Sequence, residues 1–121
     1  MTDAKTGLIW HRCSEGQTWD LATTTCTGSA ATFTHEGALT QARTQSGWRL
    51  PNVKELSSLV DKSRIIPSID VTAFPGTQSA WFWSSSPYAG NASSAWYVYF
   101  YNGYVNDYYS RTDGYHVRLV R

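Results

Sequence analysis

Residues 47–61 read GWRLPNVKELSSLVD. Asn52 is a favoured helix N-cap, and Glu55, three residues on, can reach back to its backbone N–H. Val53, Leu56, Leu59 and Val60 recur at helical spacing as one apolar stripe. The spacing predicts a helix over 51–63 laid against the core. Upstream, Ala38, Leu39 and Ala42 predict a helix over 35–45, weakened by Gly37. TGLIWHRC (6–13) reads as a short strand. Residues 15–34 are small and polar, and read as loop with a helical turn near 19–22.

Downstream, Pro67, Pro75 and Gly76 punctuate an irregular stretch. WFWSSS (81–86) reads as a buried strand or strand edge, and PYAGNASS (87–94) as loop. From residue 95 the pattern alternates with period two: Trp96, Val98 and Phe100 face one way, Tyr97, Tyr99 and Tyr101 the other. Asn102-Gly103 is a strong two-residue hairpin signal. Such a turn pairs Tyr101 with Tyr104, Tyr99 with Asn106 and Tyr97 with Tyr108, so one face carries five tyrosines and an asparagine. The other face then sets Phe100 against Val105 and Val98 against Asp107. The last pair is poor core chemistry, and regular pairing is expected to fray after about Asn106. Asp113-Gly114 marks another turn, and YHVRLVR (115–121) a final strand with Val117 and Leu119 inward.

A chain of 121 residues suits one domain spanning 1–121. Its net charge of +1 carries no footprint for nucleic acid. No apolar run approaches the roughly 20 residues of a spanning helix, and MTDAKTGLIW (1–10) does not have the charged-then-apolar layout of a secretory signal. Cys13 and Cys26 lack metal-ligand spacing. A disulfide between them is favoured over two buried free thiols and fits an oxidising compartment. His11, His35 and His116 are isolated, and the serine run 84–86 lacks a nucleophile elbow. Asp107 and Asp113 suit turns and ligand hydrogen bonds better than a catalytic carboxylate pair. No catalytic residue, metal site or cofactor is expected.

In order, TGLIW, GWRLPNVKELSSLVD, AFP, FWSSSPY, AWYVYF, NG and VRLVR resemble the C-terminal domain family of bacterial collagen-like adhesins. The resemblance spans nearly the whole chain. It implies an α+β, C-type-lectin-like fold related to that of the formylglycine-generating enzyme. Two helices would pack on small antiparallel sheets, with the N- and C-terminal strands paired. Trp10, Trp48, Leu50, Leu56, Leu59, Trp83, Trp96, Val117 and Leu119 read as core. Arg49 reads as a donor to loop carbonyls rather than a ligand group.

The segment 97–115 resembles the variable region of proteins diversified by retroelements, in which a reverse transcriptase substitutes at template adenines. Template Asn codons then become codons ending in a pyrimidine, which cannot specify Lys, Glu, Gln, Met or Trp. Those types occur 17 times in residues 1–96 and never in 97–121. The resemblance implies a ligand-binding face built from Tyr97, Tyr99, Tyr101, Asn102, Tyr104, Asn106, Asp107, Tyr108, Tyr109, Ser110, Thr112, Asp113 and Tyr115. Tyrosine suits such a face: it offers apolar area, a hydroxyl and only two torsions to freeze. Two alternatives stand beside it: a fixed adhesin face for glycans such as glycosaminoglycans, and tyrosines packed in the domain's own core. The expected partner is a protein or glycan at an extracellular or cell-surface location, with no nucleic acid and no membrane insertion. A monomer is favoured.

Overall fold

The computed structural model describes residues 1–87, 94–106 and 111–121. The domain is α+β, with two helices and two antiparallel sheets among the described residues. Strands β1 (Thr18–Asp20) and β2 (Thr25–Thr27) form a hairpin pairing Trp19 with Cys26. The loop and helical turn expected there give way to strands because Asp20 accepts from Ala22 N at 2.9 Å and Thr24 takes a φ of 53°, closing a tight turn. The Cys13–Cys26 disulfide, with Cα atoms 5.6 Å apart, ties this hairpin to the N-terminal stretch.

Helix α1 (His35–Arg43) starts at Thr34, whose hydroxyl accepts from Gly37 N at 3.1 Å. Helix α2 (Val53–Ser57) carries both halves of the expected capping box. Glu55 also takes a bidentate ion pair from Arg49, 2.6 Å on each oxygen, so Arg49 serves this carboxylate rather than loop carbonyls. The helix is shorter than 51–63. The Ser57 and Ser58 hydroxyls bond carbonyls three residues back, and Leu59 and Val60 donate to Leu56 and Ser57 in tightened turns. Asp61 N then leaves for Ser68 O at 2.8 Å.

The central sheet runs β3 (Trp81–Pro87), β4 (Ala95–Tyr99), β5 (Tyr104–Asn106). β4 pairs Trp81 with Tyr99, Phe82 with Val98 and Trp83 with Tyr97. On its other side Tyr97 pairs with Asn106, Val98 with Val105 and Tyr99 with Tyr104. The register is thus two residues off that of a two-residue turn. Phe100 to Gly103 make a four-residue turn, with Gly103 N donating to Tyr99 O at 2.7 Å. Buried Phe100 is drawn out of the ladder by Ser68, whose N–H and hydroxyl both reach its carbonyl. A shift of two keeps every side chain on its face, and it replaces the unfavourable Val98–Asp107 pair with Val98–Val105. Tyr97 likewise takes Asn106 in place of the expected Tyr108, and Tyr99 takes Tyr104 in place of Asn106. Asp107 and Tyr108 themselves lie outside the described residues.

The sheet separates two cores. On one face Trp83, Tyr97, Tyr115, Val117 and Leu119 pack with Ala38 and Ala42 of α1. On the other, Phe82, Val98, Phe100 and Val120 pack with Trp10, Leu56 and Phe74. Trp48, Leu59 and Trp96, read as core, are half-buried. The chain ends meet, though neither 6–13 nor 115–121 forms the strand expected of it: Ile9 and Arg121 exchange backbone hydrogen bonds of 2.7 and 2.8 Å, and Val120 exchanges two of 2.9 Å with Arg49. They meet through single bridges, because the partner of the last stretch changes from Phe33 and Phe82 to Trp10 and Arg49 along its length.

Candidate functional site

The tyrosine face lies on the α1 side of the sheet, and that decides which tyrosines reach solvent. Tyr97 and Tyr115 are 2% and 5% exposed, packed into the α1-side core with their rings edge-on at 5.3 Å. For these two, core packing replaces the exposed placement expected of them. Beyond the helix the face opens: Tyr99 is half-buried, Tyr101 is 42% and Tyr104 67% exposed. Asn102, Asn106, Thr112 and Asp113 are also exposed. Asp107, Tyr108, Tyr109 and Ser110 lie outside the described residues.

The rings form a ladder. Trp81 stacks on Tyr99 at 4.7 Å and 14° between planes, and on Tyr115 at 5.5 Å and 28°. Tyr99 in turn stacks on Tyr101 at 5.5 Å and 18°. Stacking spends the faces of the inner rings on each other, so these rungs offer solvent their edges and hydroxyls. Trp81 was read only as strand, and belongs to the ladder because the β3–β4 register sets it opposite Tyr99. The period-two pattern placed it on a face but could not say which strand it would meet.

One end of the face is anchored on α1. Arg111 O accepts from His35 N at 2.9 Å, and Arg111 Nε donates to Ser94 O at 2.9 Å. A cleft of about 430 Å³ opens there between Thr34, Leu39 and Arg43 on one side and Arg111 and Thr112 on the other. His35 is buried, donates from Nε2 to Ser84 O at 2.9 Å and packs edge-on against Trp83. Burial pushes its pKa below the ordinary histidine value, the Ser84 carbonyl opposes that shift, and the Arg111 charge adds to it. His116, bonded to Ala31 O at 3.1 Å, is lowered by burial in the same way.

A second cleft, of about 500 Å³, lies between the N-terminal stretch, Trp19 and Trp48. Its carboxylate, Glu15, accepts from Gln41, Gln45 and His11 at 2.9–3.1 Å. Burial raises the Glu15 pKa, and these hydrogen bonds outweigh it, holding the carboxyl below its ordinary value. Arg12 covers the Trp19 ring and Arg121 the Trp48 ring, each at 4.6 Å. The Glu15 carboxylate and the Trp19 and Trp48 rings are thus partnered, whereas Trp10 Nε1 and Gln17 Oε1 in the same lining are buried without a hydrogen-bond partner among the described residues.

Among the described residues no three His, Cys, Asp or Glu side chains gather as metal ligands, and no helix is long and apolar enough to cross a membrane. The model of the family described as the Lcl C-terminal domain matches residues 1–121. No curated protein matches the chain.

Proposed function

The chain belongs to the Lcl C-terminal domain family, and on that premise we propose that it is a C-type-lectin-like, extracellular or cell-surface domain that binds a protein or glycan through its tyrosine face. It binds without catalysis, cofactor or nucleic acid, and the face is diversified in the manner of a retroelement variable protein. The observation that carries this reading is the coincidence of two patterns. Residue types unreachable from Asn codons vanish after Trp96. Within that same stretch Tyr101, Asn102, Tyr104 and Asn106 are exposed, while the interleaved Val98 and Phe100 are buried and Gly103 makes the turn; Val105, the fourth interleaved position, departs from the pattern and is exposed. Exposed tyrosines with small polar neighbours supply contact area and adaptable hydrogen bonds.

Sequencing the encoding locus across many cells of one population tests diversification. Substitutions should fall at Tyr99, Tyr101, Asn102, Tyr104 and Asn106 and spare Val98, Phe100 and Gly103. An invariant segment would refute diversification and leave the fixed adhesin. That second reading is favoured by one observation, the large exposure of Tyr104, whose ring can take the C–H face of a sugar. A stability comparison tests whether the face is surface at all. The triple variant Tyr99→Ser, Tyr101→Ser, Tyr104→Ser should keep a melting temperature close to the parent's, whereas Tyr97→Ser alone should lower it clearly. Equal losses would return the whole face to the core.

A further inference from the structure

Next to the tyrosine turn lies an exposed apolar pair outside the diversified segment: Ile65 is 67% and Ile66 54% exposed. Ile66 N donates to Tyr101 O at 3.0 Å, which sets this loop directly beside the outer rung of the ladder. Ile66 also takes a φ of 52°, a left-handed conformation that is costly for a β-branched residue. Strain of this kind persists where the surrounding structure imposes it, and it gathers at binding and switch positions. Here it holds an aliphatic side chain in water beside an aromatic surface.

The loop's charge specifies what would cover it. Asp61 is occupied by Arg64 Nε at 2.9 Å and by Ser63, and Lys62 makes no ion pair among the described residues. One lysine and one arginine against one aspartate leave residues 61–66 with a net charge of +1. The inner rungs, stacked on each other, have no faces left for sugars.

We propose that Ile65 and Ile66 are a fixed apolar rim of the ligand site, and that the partner is a protein segment presenting an apolar side chain next to a carboxylate. The apolar side chain would seat between Ile65, Ile66 and Tyr101, with the carboxylate towards Lys62. This rests on the binding reading of the tyrosine face and adds to it a constant element that every diversified version keeps.

The test pans a random peptide library against the immobilised domain. Enriched peptides should share an aliphatic or aromatic residue beside Asp or Glu. The double variant Ile65→Ser, Ile66→Ser should weaken them about tenfold or more, and Tyr101→Ser should weaken them likewise. Leu21→Ser, at an exposed leucine elsewhere, should leave them unchanged. Peptides that depend on Tyr101 but survive the isoleucine substitutions would overturn the rim and leave the tyrosine face standing. Peptides indifferent to both, or no enrichment at all, would overturn the rim and the protein-binding form of the face together.

Discussion

Gly103 shows how much one residue carries at the end of the tyrosine face. Its φ is 87°, and a Cβ placed there would meet Val60 Cγ1 at 2.7 Å. Both the backbone and the space therefore require glycine, and Gly103→Ala should cost about 1–3 kcal/mol in urea unfolding. The Asn-Gly pair announced a turn here; the contact with Val60, 43 positions earlier in the chain, was not legible. Arg118 was still less so, sitting between Val117 and Leu119 in a run that reads as core. It is fully buried, donating to the His11 and Arg12 carbonyls and, at 2.9 Å, to Thr77 Oγ1, with Phe74 beneath its guanidinium at 4.8 Å. Burial pulls its pKa down to about 9. Arg118→Met should keep the packing but strand those carbonyls, lowering the unfolding free energy by about 2–4 kcal/mol.

Among the elements, α2 was the most legible, because its start is written locally. Asn52 and Glu55 satisfy each other's backbone across three residues, and no distant partner is needed to recognise them. Asn52→Ala should cost about 1 kcal/mol, read as a lower denaturation midpoint with an unchanged slope. Its end was not legible, because Asp61 N leaves the helical path for Ser68, a competition that only the folded chain reveals. The β4–β5 hairpin divides in the same way. Period two correctly separated Tyr97, in one core, from Val98 and Phe100, in the other, while the register moved by two residues because Ser68 holds Phe100 in the turn. The β1–β2 hairpin was read as loop, since three-residue strands carry too little alternation to register.

For the whole molecule, pH probes how the two layers are joined. His35 and His116 are held neutral by burial, with pKa values below the ordinary 6.5. The unfolded chain therefore takes up protons first as the pH falls, so their contribution is complete above about pH 6.5 and is lost as the pH drops through the folded values. Glu15 and Glu55 are shifted below 4.5 and lose their contribution only at lower pH. Urea midpoints should thus decline between about pH 7 and pH 5, and the double variant His35→Gln, His116→Gln should flatten that slope. The sequence by itself determined whatever depends on near neighbours: the capping box, the alternation of Tyr97, Val98, Tyr99 and Phe100, the turn at Gly103 and the residue types missing after Trp96. Only the tertiary structure decided which side of the sheet α1 covers. That choice buries Tyr97 and Tyr115 and leaves Tyr101 and Tyr104 in water, because alternation assigns a residue to a face, whereas exposure depends on what another part of the chain lays over that face.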